Sequence, residues 1–577
     1  MHRNLRSFLA QLKREQELVE IGVAVDPYLE LAEIHRRVIA ADGPALLFNN
    51  VKGSDFPVVT NLFGTRRRVE LSVGAQPEKI VQTLVAALPS LLPPRLQDLW
   101  QLRDTLKPLT KIGLSQVKPS QAPVLEIHEA EVDLRKLPAL TSWPEDGGAF
   151  ITLPLVYTED PLTHQHNLGM YRIQLHSAQQ TGIHWQIHKG GGFHYDQAEQ
   201  RGEELPVTLF IGGPPALILS AIAPLPEMLP ELIFTSFLMG EKLAMTRQAD
   251  LRHALVAEAE FAFCGSVPPK IRKAEGPFGD HYGYYSLQHD FPVFNIQSMY
   301  RRKDAIYPAT VVGKPRQEDY YIGDYLQELL APLFPVVMPG VKSLWTYGET
   351  GFHALTGAVV QERYHREAVV HALRILGEGQ LSLTKFLLVT DQNVAPREFK
   401  ALLQVILERM NPVDDLIILR QTAMDTLDYT GRRLNHGSKA VMLGIGEAKR
   451  VLPQEFHADP PPGIDAVMPF CPGCLLLTGK TYEQEPKLAE RIARQTNEAL
   501  LAWPLLILTD DLEPCREVSG FLWQVFTRFD AAYDLSVSAG RILIDARMKP
   551  MYPGTVEPDA RTVQCVDQRW AEYGIKL

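Results

Sequence analysis

The stretch "FLLVTDQNVAPREFKALLQVILERMNPVDDL", residues 386–416, decides the fold class. Its start, with Lys385 before it, is the apolar strand "KFLLVTD", and "REFKALLQVILERM" is the helix that follows, which is α/β layering. The unit recurs 119 residues further on as "LLILTDDLEPCREVSGFLWQVFTRFDAAYDL", 505–535. Thr390, Asp391, Arg397, Glu398, Arg409, Asp415 and Leu416 return as Thr509, Asp510, Arg516, Glu517, Arg528, Asp534 and Leu535. A duplicated strand–loop–helix unit explains the match. Two copies cannot make a solenoid, so they extend one sheet or pair as sub-domains.

Upstream the rhythm differs. Leu5, Phe8, Leu9 and Leu12 follow the helical period, and "LELAEIHRRVIAA" reads as a second helix introduced by Pro27. "GPALLFNNV" and "FPVVTNLFG" read as short buried strands, and residues 76–112 as helical with a break at "LPSLLPP". From Val124 to Tyr307 short strands crowd between Gly and Pro: "ITLPLVYT", "LGMYRIQLH", "GIHWQIH", "PVTLFIGG", "PVFNIQSMY". That density predicts a barrel or twisted mixed sheet. The expectation is an α/β (α+β) protein: an N-terminal α/β segment (1–115), a β-rich domain (116–325), a C-terminal α/β domain (326–460) and an extension (461–577) holding the second repeat copy.

The chain has 577 residues, 45% of them apolar, ample for large cores. A net charge of -10, spread along the chain, disfavours nucleic-acid binding. The opening "MHRNLRSFLAQLKREQELVE" is charged and amphipathic, so it reads as neither signal peptide nor membrane span. Five Cys give no disulfide framework and fit a reducing, cytoplasmic setting. Cys471 and Cys474 in "PFCPGC" lack a second ligand pair for zinc and read as flanking a Pro-Gly turn.

Four places carry candidate chemistry. In "GIHWQIHKGGG", strand alternation sets His184, Gln186 and His188 on one face; His188 suits a metal, and Lys189 with its glycines suits a phosphate. In "HNLGMYRIQLH", Arg172 amid apolar residues needs an anionic partner, either in a structural ion pair or at a site. Asn167 is a hard-cation ligand or a turn residue at the strand start. Alternation puts it opposite Arg172 unless Gly169 makes a bulge. Glu231 after Pro230 begins a helix, where its carboxylate answers the dipole unless it serves a site. "EGPFGDHYGYY", 275–285, is a loop by its Gly-Pro and Gly-Asp turns; Glu275 and Asp280 are either solvated or handle protons.

Taken in order, "LRSFLAQLKREQELVEI", "GPALLFNNVKG", "NLFGTRRRV", "WPEDGGAFIT", "NLGMYRIQL", "HKGGG", "PVTLFIGGPPA", "EGPFGDHYGYY", "RKDAIYPATVVGKP" and "NHGSKAVM" resemble the UbiD family of (de)carboxylases, over about residues 1–450. The resemblance implies a split-β-barrel domain that binds prenylated FMN. It implies Arg172, Glu275 and Asp280 as catalytic residues, and Asn167, His188 and Glu231 as ligands of manganese or magnesium, with potassium nearby. It places Met170, Tyr171, Arg172, His184, Trp185, Gln186, Lys189, Gly190 and Lys439 at the cofactor.

The expected activity is decarboxylation of an aromatic acid, a 4-hydroxy-3-polyprenylbenzoate or a naphthoate precursor of quinones, in the ubiquinone or menaquinone routes. Asp280 would supply the proton that replaces the carboxylate. The expected partners are a flavin prenyltransferase as cofactor supplier and further copies in a dimer or hexamer. A prenylated substrate would bring the protein to the inner membrane surface. The rivals are a catalytically silent scaffold of the same fold and a flavin reductase-like protein.

Overall fold

The period of Leu5, Phe8, Leu9 and Leu12 is realised as the helix Leu5–Arg14, which buries all four side chains. Asn4 starts it, its side-chain oxygen accepting from Ser7 N at 3.0 Å. The structure, a computed structural model, describes residues 2–91, 107–186, 189–225, 229–495 and 497–577. The chain divides into two units, Met1–Leu329 with Thr555–Leu577, and Leu330–Gly554.

In the first unit, Leu18–Ile21, Ala45–Phe48, Val58–Thr60 and Tyr307–Pro308 form a four-stranded sheet. The site is carried by a ten-stranded sheet. Its path runs Phe150–Ile151, Ile173–Leu175, Gln180–Ile183, His289–Arg301, Phe261–Val267, Leu205–Ile211, Pro154–Glu159, His166–Gly169. Arg272–Glu275 and Ile127–Glu129 pair with the long strand His289–Arg301. The pairs along the path are antiparallel.

The two ends of this path are covalent neighbours. Phe150–Ile151 and Pro154–Glu159 are joined by Thr152 and Leu153, and His166–Gly169 and Ile173–Leu175 by Met170, Tyr171 and Arg172. The sheet must therefore roll until its ends approach, without hydrogen bonds sealing it. It is a barrel left open along a seam, and Arg172 sits in that seam.

Two expectations about strands are corrected. "LGMYRIQLH" is two strands broken at Met170–Arg172, not one, so alternation no longer fixes where Asn167 and Arg172 face. "GIHWQIH" leaves the sheet after Ile183, where Trp185 N turns back to Ile183 O at 2.9 Å. His184 and Gln186 therefore do not share a strand face, and Ile187 and His188 lie outside the described residues.

In the second unit, two five-stranded sheets have the same order. The first is Val341–Thr346, Leu355–Val360, Phe386–Thr390, His436–Gly444, Leu416–Ala423; the second is Ile464–Cys471, Cys474–Gly479, Leu505–Leu508, Arg541–Asp545, Leu535–Ser538. Both pair antiparallel, parallel, parallel, antiparallel along that order. The sequence repeat is thus the most similar part of a longer structural duplication. The copies meet through aromatics: Phe399 approaches Phe470, Phe521 and Phe526, and Phe386 approaches Phe526 and Phe529. Cys471 and Cys474 face each other across a hairpin whose Gly473 has φ +80°, and both are buried free thiols.

Residues 461–577 do not stay together. Thr555–Leu577 belongs to the first unit, where Val566, Tyr573 and Ile575 enter its core.

Candidate active site

Arg172 leaves the seam as a buried guanidinium ringed by acceptors. Its Nε and Nη2 reach Glu275 Oε1 and Oε2 at 2.7 and 2.9 Å, a bidentate pair. Nη1 donates to Asp280 Oδ2, and Nη2 also donates to Ser286 Oγ at 2.9 Å. The guanidinium carbon stands 4.8 Å from the Phe278 ring centroid. Glu275 is 0% exposed and Asp280 7%. The structure therefore brings together the three residues expected to be catalytic.

The loop carrying both carboxylates is held by a second segment. Glu275 ends the strand Arg272–Glu275, and Gly276, at φ +89°, turns the chain out of it. Gly276 N donates to Gln174 Oε1 at 2.9 Å, and Gly147 N donates to Pro277 O at 2.7 Å. A Cβ on Gly147 would stand 2.2 Å from Gly276 O, and one on Gly279 2.1 Å from Trp143 Cδ1. Asp146 Oδ1 accepts from Gly279 N at 2.8 Å, while Oδ2 accepts from Ser142 N and Trp143 N at 2.9 Å each. "WPEDGG" is thus the cradle of "EGPFGD". Sequence reasoning assigned no role to Asp146, Gln174 or Ser286; a lone carboxylate before two glycines was the available signal.

Charge follows from this packing. Burial pushes the Glu275 carboxyl up, but the Arg172 charge with hydrogen bonds from His184 and Arg172 outweighs it and holds it at about 2. Burial likewise opposes ionisation of Asp280. The His281 hydrogen bond and the Arg172 charge override it and hold Asp280 well below the usual carboxylate range. His281 donates to Asp280 Oδ1 from its backbone N at 2.7 Å, and its Nδ1 lies 2.8 Å away. Burial raises Asp146 to about 6, only partly offset by its three backbone donors.

Of the other expected residues, Asn167, Tyr171, Trp185, Gly190 and Glu231 lie on neighbouring segments around the seam. Leu168 N donates to Glu231 Oε2 at 3.2 Å, and Asn167 Nδ2 donates to Tyr171 OH at the same distance. Asn167 Oδ1 packs so close to Gly190 that a Cβ there would stand 2.2 Å from it. Glu231 and Asn167 thus lie on neighbouring segments. Their third expected partner, His188, is outside the described residues, and no group of three His, Cys, Asp or Glu among the described residues could hold a metal.

Gly191 N donates to Tyr171 OH at 3.2 Å at the start of the helix Gly190–Arg201. A Cβ on Gly191 would meet Trp185 Nε1 at 2.7 Å, and that buried indole N–H has no partner among the described residues. Glycines at a helix N-terminus beside an orphaned indole donor fit the phosphate end of a flavin nucleotide. Lys189 stands at the N-cap of that helix. Lys439 is in the second unit, where its Nζ donates to Thr384 O at 2.9 Å and burial pushes its ammonium down to about 8.

Comparison with known proteins gives this arrangement its class. The chain matches the 3-octaprenyl-4-hydroxybenzoate carboxy-lyase N-terminal domain over residues 9–88. It matches the Rift-related domain over 115–315 and the C-terminal domain over 320–444. It belongs to the UbiD family and is a carboxy-lyase. A Chlamydia pneumoniae protein, named as one of the subunits of a 4-hydroxybenzoate decarboxylase, is 51% identical over 583 residues, covering 99% of this chain and 98% of its own. A Chlamydia caviae protein is 51% identical over 582 residues, covering 99% of each.

Two solved structures share the fold at 23% identity. The UbiD-class enzyme HmfF from Pelotomaculum thermopropionicum, in complex with FMN, has TM-score 0.63, covering 80% of this chain and 98% of its own. Vanillic acid decarboxylase from Sedimentibacter hydroxybenzoicus, in closed form, has TM-score 0.68, covering 85% and 99%.

Proposed function

We propose that this carboxy-lyase decarboxylates a hydroxybenzoate-type acid using prenylated FMN and a divalent cation. The observation that carries the reading is the buried Arg172–Glu275–Asp280 cluster: one guanidinium between two carboxylates, in the same seam as the glycines and the orphaned indole donor that fit a flavin phosphate. The name of the 51%-identical Chlamydia pneumoniae relative supports the hydroxybenzoate class. A prenylated hydroxybenzoate or a hydroxynaphthoate belongs to the same chemistry.

Met170, Tyr171, Trp185, Gln186, Lys189 and Gly190 would hold the flavin. Asn167 and Glu231, with His188, would hold manganese or magnesium; oxygen and imidazole ligands suit those ions. When bound, the prenylated flavin supplies the electron sink for the carbon that loses carbon dioxide. This chain's residues do the rest. Arg172 binds the substrate carboxylate, and Glu275, kept ionised, fixes the guanidinium plane. Asp280 yields its place on Nη1 to the incoming carboxylate. It then loses one of the two interactions that keep it ionised, takes up a proton from solvent and delivers it to the ring carbon in place of the departing carbon dioxide.

A flavin prenyltransferase would supply the cofactor, and a homo-oligomer, dimer or hexamer, would be the working form. Among the described residues no helix is long and apolar enough to cross a membrane. The test is protein co-expressed with a flavin prenyltransferase and assayed on hydroxybenzoates and hydroxynaphthoates. Carbon dioxide release that needs the bound flavin supports the reading. Flavin-loaded protein inert to every acid removes the hydroxybenzoate assignment, and protein that takes up no flavin with manganese supplied favours the silent scaffold.

A further inference from the structure

The imidazole of His184 is tied at one end only. Its Nδ1 lies 3.2 Å from Glu275 Oε2, and its ring leans on Phe291 with centroids 4.2 Å apart. The residue is 5% exposed, and its Nε2 is buried with no hydrogen-bond partner among the described residues. Glu275 gives both oxygens to Arg172 and so acts as an acceptor. An acceptor facing Nδ1 puts the ring proton there, which leaves a bare lone pair on Nε2 of the neutral ring. Burial, and then the Arg172 charge, oppose a second proton. The two nitrogens of an imidazole project on different sides of the ring, so Nε2 is aimed away from Glu275. A buried acceptor with nothing to accept is costly, and this one stands on Glu275 of the Arg172–Glu275–Asp280 cluster, which points to a donor brought by the ligand of that site.

We propose that His184 determines specificity: its Nε2 accepts a hydrogen bond from a ring hydroxyl of the substrate. This makes hydroxyarene acids the substrate class and their methyl ethers poor substrates. The inference rests on the decarboxylase reading above and deepens it, and it places His184 at the substrate rather than at the cofactor. Glu275 then fixes both ends of one ligand. It holds Arg172, where the carboxylate docks, and it holds the Nδ1–H of His184, which aims Nε2 at the hydroxyl. The two side chains start close together, since His184 N donates to Arg172 O at 3.2 Å. A nitrogen accepting from the hydroxyl also draws its proton outward and enriches the ring that must release carbon dioxide.

The test uses cofactor-loaded parent, His184→Leu and His184→Gln with matched hydroxy- and methoxybenzoates. Carbon dioxide release gives kcat and KM, and calorimetry gives the dissociation constant of each acid. The parent is expected to favour the hydroxy partner by roughly 10- to 100-fold in affinity. His184→Leu is expected to lose that preference, and His184→Gln, whose amide oxygen accepts, to keep part of it. A parent that binds both members equally overturns the proposal without any variant. So does a Leu variant that loses flavin absorbance while its hydroxy-to-methoxy ratio stays at the parent value, which makes His184 a cofactor contact. Calorimetry reads the preference even if no acid is turned over, so failure of this inference and failure of the decarboxylase reading are distinguishable.

Discussion

Asp280, the proposed proton donor, most needs explaining, because it is found here as a paired carboxylate. Arg172 and His281 both stabilise its charge, so in the proposed mechanism it becomes an acid only after substrate takes its place on Arg172. Asp280→Asn keeps the hydrogen-bonding shape but holds no transferable proton. We expect flavin content unchanged and decarboxylation down by about 10²- to 10⁴-fold, the usual worth of a positioned proton donor. Near-parental release of carbon dioxide would remove Asp280 from the mechanism.

Glu275→Gln tests the other arm. A neutral amide in place of a fully buried, bidentate carboxylate leaves Arg172 partly uncompensated. Thermal unfolding should show a loss on the order of 3 kcal/mol, with KM for the acid also altered. A Gln variant as stable as the parent would mean that the pair does not matter to folding. Arg172 announced itself in sequence, since a guanidinium among apolar residues must find an anion. Its partners lie 103 and 108 residues away, and nothing local in the chain names them. The family resemblance supplied what spacing did not.

At the scale of elements, the loop from Glu275 to Asp280 is shaped by contacts that side-chain patterns do not display. Gly147 and Gly279 are required because neighbouring atoms occupy the space of a Cβ, and Asp146 works through backbone N–H groups alone. Such backbone-to-carboxylate bonds leave no periodic trace in sequence. Gly147→Ala pushes on a backbone carbonyl and should cost about 1–3 kcal/mol, with kcat falling more than KM rises as the Glu275–Asp280 spacing shifts. Gly22→Ala, with open space around it, is the control and should behave as the parent. Equal effects from both changes would contradict the cradle.

A strand pattern was readable for Pro154–Glu159 and Leu205–Ile211 as short apolar runs, buried almost throughout rather than on alternate residues. It misled at His184–Gln186, because the chain leaves the sheet where a tertiary turn, not the alternation, decides its path. The C-terminal repeat was legible as a unit, whereas the equivalence of two whole sheets was not. Apart from Leu416 and Leu535, which open one outer strand of each copy, the outer strands share pairing geometry and not the matched residues.

Across the whole molecule, buried histidines tie stability to pH. His35 is 0% exposed, both its ring nitrogens lack partners among the described residues, and burial with the Arg36 and Arg68 charges lowers it to about 3. An unfolded His titrates near 6.5. The folded form stays neutral to about 3, so between these values only the unfolded chain binds the proton. The contribution of His35 is therefore complete above 6.5 and erodes as pH falls towards 3. His35→Leu abolishes that term. Relative to its own difference at pH 7.5, the variant should gain about 2 kcal/mol on the parent by pH 5, read from denaturant midpoints. A parallel pH dependence for both proteins would show that His35 is protonated in the fold.

The returning C-terminus gives a second test at this scale. Arg37 pairs with Asp567 at 2.6 Å, and Tyr573 OH donates to Glu30 Oε1 at 2.8 Å beside the buried Val566. Removing residues 555–577 should lower the Tm of the first unit and expose apolar surface to a hydrophobic dye. An unchanged Tm would make the segment an appendage.

The central claim is flavin-dependent loss of carbon dioxide at the Arg172–Glu275–Asp280 cluster, and one measurement meets it directly. Protein co-expressed with a flavin prenyltransferase is examined by mass spectrometry and absorption, then assayed for carbon dioxide release across hydroxybenzoates and hydroxynaphthoates, with Asp280→Asn in parallel. The account predicts bound prenylated flavin, release from at least one hydroxyarene acid, and release from the variant lowered by about 10²- to 10⁴-fold despite equal flavin content. Protein that binds no flavin with manganese supplied, or a variant as active as its parent, would contradict it.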